Sequence, residues 1–200
     1  MWKQLKQAFL LFIALSLFTG ILYPLAITGL AQAFFPKQAN GSLLYRDDKP
    51  IASSLIGQQF TDPKYFWSRP SATTRSLADG STVPLPYNAE SSSGSNLGPT
   101  NPDLAKAVKE RIAALRAADP GNDAPVPVAL VTSSASGLDP HITPAAAEYQ
   151  VARVARTRGL NVETVRALVA RHTEGRTLGL LGEPRVNVVE LNLDLDNDRR

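Results

Sequence analysis

The chain has 200 residues, a formal net charge of +3 and no cysteine, which excludes a disulfide scaffold, a thiol nucleophile and thiolate metal sites. Two of the cations, Lys3 and Lys6, stand at the extreme N-terminus. The remainder is close to neutral and lacks the basic footprint of a nucleic-acid binder.

No side chain between positions 7 and 36 is charged, and residues 8–31 are nearly all apolar or small. A run of about 18 or more such residues can cross a bilayer as a helix, with its backbone groups satisfied internally. Lys3, Lys6 and the α-amino group hold the N-terminus in the cytoplasm. The expected layout is therefore a cytoplasmic N-terminus (1–6), a transmembrane helix (7–35) and a periplasmic or extracellular domain (36–200). A cleaved signal peptide is the other reading, because Ala31-Gln32-Ala33 has the small-x-small form. The apolar run is, however, far longer than the roughly 7–15 residues of a signal core. Ser16, Gly20, Pro24, Thr28 and Gln32 recur every four residues, a stripe suited to docking on a partner's membrane helix. Gly and Pro are also simply frequent in membrane helices, which leaves the stripe open to either account.

Two short apolar runs, 42–46 and 51–56, flank Asp47-Asp48-Lys49-Pro50 and predict a β-hairpin. Tyr65-Phe66-Trp67 interrupts a polar segment and predicts an anchor packed on the domain or on a partner. Residues 73–100 read as one long loop, functional or flexible, rich in Ser, Gly, Asn and Pro. Within it, residues 91–98 offer backbone N–H groups and hydroxyls to an anion or to a partner's backbone. Asn101 can cap a helix, with Pro102 at its first position and Leu104, Val108, Ile112 and Leu115 on one face. Residues 126–131 read as a buried strand despite Pro127. Thr143 and Pro144 open a second helix with Val151 and Val154 inward, Arg153, Arg156 and Arg158 towards its end, and Gly159 as its stop. Asn161 caps a third, with Val162, Val165, Leu168 and Val169 on one face. Alternation around Asn192 and Asp194 favours a final strand, although Val188-Val189 allows a bulge or a strand-to-helix change. The fold class is a single N-terminal transmembrane α-helix followed by one mixed α/β (α+β) soluble domain.

The available chemistry is thin. Ser133, Ser134 and Ser136 with Asp139 and His141 form an apparent nucleophile set, so a membrane-anchored periplasmic hydrolase using Ser134, His141 and Asp139 is the alternative function. Asp139 and His141 stand astride Pro140, and no Gly-x-Ser-x-Gly elbow is present. His172 falls at a helix end, where a cation suits the dipole. Two histidines without cysteine are a poor basis for a metal cluster, and no phosphate-binding Gly-x4-Gly-Lys-Ser/Thr loop occurs. Asp48-Lys49-Pro50 lacks the continuation of a phosphorylated-aspartate site. On its residues the chain is a membrane-anchored interaction domain with no catalytic residue, metal or cofactor of its own.

Several segments then occur in order: Gln58-Gln59-Phe60, Tyr65-Phe66, Arg69-Pro70-Ser71-Ala72-Thr73, Tyr87-Asn88-Ala89, Ser93-Gly94-Ser95-Asn96-Leu97 and Thr100-Asn101-Pro102. Ser134-Ala135-Ser136-Gly137-Leu138-Asp139, Ile142-Thr143-Pro144 and Val186-Asn187-Val188-Val189-Glu190-Leu191-Asn192-Leu193 follow. With the N-terminal helix, this set resembles the C subunit of the Kdp potassium-transporting P-type ATPase across essentially the whole chain. The resemblance implies a non-catalytic accessory subunit of the inner (plasma) membrane, needed for assembly and stability of a high-affinity potassium uptake complex. Its implied partners are a channel-like potassium-binding subunit, a P-type ATPase subunit and a small single-helix subunit. Those subunits handle ATP and potassium. It further implies a catalytic chaperone that raises the ATPase subunit's affinity for ATP, for which Ser93, Gly94, Ser95, Asn96 and Gln150 are the candidate contacts. An external domain cannot touch cytoplasmic ATP, and the charge-derived topology favours an outer cap beside the channel-like subunit's entrance.

Overall fold

A computed structural model describes residues 1–197. The apolar N-terminus forms one continuous helical rod, Trp2–Phe34, long and apolar enough to cross a membrane. It consists of α1 (Trp2–Leu17), a wide π turn (Phe18–Leu22) and α2 (Tyr23–Phe34), none of whose residues is buried. The rod begins at Trp2 rather than at position 7, because Lys3, Gln4 and Lys6 are themselves good helix formers. The π turn has an identifiable cause. Pro24 has no N–H to give Gly20, and its ring crowds that carbonyl. The Tyr23 N–H bonds back to Phe18 O instead, five residues earlier.

The rod's unit continues to Ser53. A short turn of helix, α3 (Pro36–Ala39), precedes the expected hairpin of β1 (Leu43–Arg46) and β2 (Lys49–Ser53). Its tip residues Asp47 and Asp48 both have positive φ, 50° and 59°, as a tight two-residue hairpin turn requires. Pro50 is tolerated because this two-stranded ladder has only edges, and the register slips between Leu44 and Tyr45.

The second unit starts at Ser54. Its stretch 73–100 is not a plain loop, for β3 (Thr74–Ser76) and β4 (Thr82–Pro84) make a small hairpin turned at Gly80. Next comes α4 (Pro102–Ala118), with the Asn101 side chain accepting the Asp103 N–H. The strand expected over 126–131 is absent, and Val128–Leu130 is a 3-10 turn. Prolines at 125 and 127 remove the donors that a central ladder needs, so Leu130 and Val131 are buried without a sheet. After β5 (His141–Ile142) come α5 (Pro144–Arg158) and α6 (Val162–Arg171), capped by Thr143 and Asn161 as expected. Gly159 ends α5 at φ 67°. The chain then forms β6 (Thr173–Glu174), β7 (Arg185–Asn187) and α7 (Val188–Asn197), and the three short strands pair antiparallel in the order β5-β7-β6. The final segment therefore changes from strand to helix at Asn187, whose side-chain oxygen accepts the N–H groups of Val189 and Glu190.

Packing follows the amphipathic faces. Val151 and Val154 of α5, Val165 and Leu168 of α6, and Val188, Leu191 and Leu195 of α7 share one core with Phe66, Leu115, Ile142 and Val186.

Candidate functional site

The membrane rod carries the first candidate surface. Ser16, Gly20, Pro24, Thr28 and Gln32 are all exposed, and a Cβ on Gly20 would meet nothing within 4 Å. Four residues exceed a regular turn of 3.6, so a four-residue stripe drifts around an α-helix. The wide turn holds more residues per revolution and cancels part of that drift between Gly20 and Pro24. Gln32 has a second engagement: its amide exchanges two 3.2 Å hydrogen bonds with Asn40. The last stripe residue thus ties the rod's end to the turn before β1.

In the second unit the aromatic trio packs on its own domain. Phe66 is fully buried, and its backbone N–H and C=O are both taken by the Asn192 side chain at 2.9 Å, as a neighbouring strand would take them. Gln150 does the same for Trp67, accepting its N–H at 2.7 Å and donating to its carbonyl at 3.2 Å. Two of the arginines expected towards the end of α5, Arg153 and Arg158, are buried. Arg153 donates to the carbonyls of Pro63 and Tyr65 and to Gln150 Oε1, and lies 4.9 Å over the Trp67 ring. Burial pushes the Arg153 guanidinium down to about 10. Arg158 bonds Lys64 O and Leu195 O, pairs with Asp196 at 2.9 Å and stacks over Tyr65. Only the i, i+4, i+7 spacing of Gln150 and Arg153 with buried Ala146 marked these polar residues as inward-facing.

A second cluster gathers segments that are far apart in the chain. Ser71 Oγ donates to Gly137 O at 2.7 Å and accepts the Tyr87 N–H, while Thr73 Oγ1 donates to Leu85 O and accepts the Asn88 N–H. Ser93 N–H and Ser92 Oγ both donate to Ser136 O at 3.0 Å. Gly137, at φ +67°, lies so close that a Cβ would come within 2.5 Å of Ser93 O. Tyr87 donates to Arg69 O at 2.6 Å, and burial pushes its hydroxyl up to about 12. A cleft of about 270 Å³ opens beside the cluster, lined by Phe60, Trp67, Arg69, Tyr87, Arg111 and Leu115 among others. Ser93, Gly94, Ser95, Asn96 and Gln150 do not line it. Nor does any hydrogen bond among the described residues join Gln150 to residues 93–96. Gln150 is 1% exposed and its amide is spent on Trp67, Ala146 and Arg153.

The serine–histidine set has a structural geometry. Asp139 Oδ1 accepts the His141 N–H at 3.0 Å, and its Oδ2 meets Arg69 Nη1 at 3.2 Å. Arg69 also donates to Thr132 O and Ser133 O, so Asp139 and Arg69 together pin the 132–141 loop. Burial opposes ionisation of Asp139, but the His141 hydrogen bonds and the Arg69 charge outweigh it and hold the carboxyl below its usual range. Ser134 faces Ser136 Oγ at 3.5 Å. Among the described residues no hydrogen bond joins His141 to a serine, so the nucleophile–base contact of a hydrolase is not formed. His172 sits at the C-terminus of α6, as expected, with Nε2 3.0 Å from Asp194.

The segments sewn together here, 69–73, 87–89, 93–97 and 134–139, are distant in the chain and are joined by hydrogen bonds. With its helical rod they define a membrane-anchored α+β protein built to hold loops in place. Residues 5–197 match the family described as "K+-transporting ATPase, c chain". The chain is 65% identical to the potassium-transporting ATPase KdpC subunit of Polaromonas naphthalenivorans, over 96% of this chain and 93% of that one. It is 59% identical to that of Sorangium cellulosum over the full length of both, and 59% identical to that of Methylococcus capsulatus over 98% of each. The chain belongs to the family of c chains of K+-transporting ATPases.

Proposed function

We propose that this chain is a non-catalytic accessory subunit of an ATP-driven potassium uptake complex, needed for the complex to assemble and persist. The observation that carries the reading is the family match over residues 5–197, which takes in the exposed apolar rod and the stitched loop cluster together. The rod crosses the membrane with its N-terminus in the cytoplasm, and the domain lies outside the inner membrane. Support comes from the cations Lys3 and Lys6 at its start. Partner chains are a channel-like potassium-binding subunit, a P-type ATPase subunit and a small single-helix subunit, which between them handle ATP and potassium. The stripe Ser16, Gly20, Pro24, Thr28 docks against a partner's membrane helix, where small groups allow close approach.

In this orientation Ser93, Gly94, Ser95, Asn96 and Gln150 lie across the membrane from cytoplasmic ATP, so the domain supports the complex from outside rather than by holding nucleotide. Titration of the full chain with ATP tests that side of the reading, and saturable one-to-one binding would restore the nucleotide role. The main test is copurification. Gly20→Leu with Thr28→Leu should weaken recovery of partner chains while the domain stays folded. Undiminished recovery would sink the docking role of the stripe.

A further inference from the structure

The loop between β6 and β7 has a use that folding does not explain. Leu178 and Leu180 are 87% and 81% exposed, the two most exposed large apolar side chains described in the second unit, and Leu181 beside them is 64% exposed. The loop that holds them is ordered by its own backbone. Thr177 and Leu181 exchange N–H···O bonds of 2.9 and 3.0 Å, and Gly179 and Leu180 donate back to Arg176 and Thr177. Leu178 stands at φ 55°, a left-handed conformation that Gly or Asn adopts readily and leucine does not. A strained leucine whose side chain faces solvent contributes nothing to the core. Its side chain is offered to something else.

The loop's base is electrically closed. Arg176 Nη2 meets both oxygens of Glu183 at 2.8 Å, and Arg185 bonds Glu174 at 2.9 Å. Apolar loops that enter lipid work with free cations, which find the anionic headgroups. Here each arginine beside the leucines is paired with a carboxylate within the collar, Arg176 with Glu183 and Arg185 with Glu174. A neutral collar around an apolar tip complements an uncharged apolar recess on another polypeptide. There the tip fills the pocket and the ion pairs form the rim that excludes water. Its preformed turn lowers the ordering cost of such docking.

We infer that Leu178, Leu180 and Leu181 form a plug that seats in an apolar recess of a partner chain of the K+-transporting ATPase, a second contact independent of the membrane rod. This rests on the accessory-subunit reading above. The test uses the full chain co-expressed with the transporter. Leu180→p-benzoylphenylalanine should crosslink on illumination to a protein chain of the complex. Leu178→Ser/Leu180→Ser/Leu181→Ser should lower recovery of that chain by about tenfold or more after detergent washing, since roughly three leucine burials are lost. Its unfolding temperature should stay within about 2 °C of the parent, as befits exposed positions. A crosslink to phospholipid only, no crosslink within an intact complex, or unchanged recovery would overturn the proposal, as would a large fall in unfolding temperature. If the unsubstituted chain recovers no partner at all, the accessory-subunit reading fails first and takes the plug with it.

Discussion

Arg153 holds a guanidinium at 2% exposure with carbonyls and a glutamine amide as its hydrogen-bond partners and a tryptophan face beside it. A buried cation is costly, and this one is retained because it collects the carbonyls of Pro63 and Tyr65, which the aromatic trio's sharp path leaves without ladder partners. Arg153→Ala removes these bonds, opens a void under Trp67 and should destabilise the domain by about 3 kcal/mol, or a fall of about 10 °C in Tm. Arg153→Lys should recover little of that, since one ammonium cannot span the same planar fork. Thermal unfolding followed by Trp67 fluorescence checks both variants. Asp139 makes a different, pH-linked contribution. Its folded pKa is depressed below the ordinary 3.8, so its stabilisation is fully present above that value and is lost as pH falls through the folded pKa. Asp139→Asn should therefore cost about 1–2 kcal/mol at pH 7, and the gap from the parent should close as pH drops below about 4. Urea midpoints measured at both pH values read the effect directly, and a gap independent of pH would exclude it.

At the scale of elements, legibility followed how local the signal was. The caps Asn101, Thr143 and Asn161 and the stop at Gly159 act within one turn, and all four are where the side chains placed them. The aromatic trio and the loop cluster depend on partners 12 to 131 positions away, such as Thr73 with Leu85 and Tyr65 with Asp196, and no period records those. Residues 186–195 show how a pattern deceives: Val188, Leu191 and Leu195 fit a helix at i, i+3, i+7 as well as the alternation fitted a strand. Asn187, capping Val189 and Glu190, decides between them. The candidate docking stripe was visible as a spacing, but its π turn was not, because the sequence shows Pro24 without showing how the helix accommodates it. Pro24→Ala supplies the missing N–H. The expected result is a regular α-helical bond to Gly20 O, read as an amide at position 24 that is protected from hydrogen exchange in detergent micelles. Recovery of partner chains should fall as well, because the stripe regains its full drift.

For the whole molecule, the decisive variable is which side of the membrane holds the residues after Ser53. The rod itself is symmetric in this respect, being uncharged from end to end beyond Lys6, so orientation rests on charges outside its apolar part. Lys3 and Lys6 precede it, and Lys37 follows it with Arg46 and Lys49 further on, beside Asp47 and Asp48. Acidic residues contribute little to orientation, so the comparison is two lysines plus the terminal amine against one nearby lysine and two more distant cations. The balance is close, and neutralising the start should shift it. Alkaline phosphatase fused after Arg200 should be active in the parent chain, because that enzyme matures only outside the cytoplasm. Lys3→Gln/Lys6→Gln should lower this activity and raise that of a cytoplasm-restricted reporter at the same site. A parent fusion active only with the cytoplasmic reporter would put the domain on the ATP side, withdraw the outer-cap reading and return residues 93–96 to consideration as nucleotide contacts.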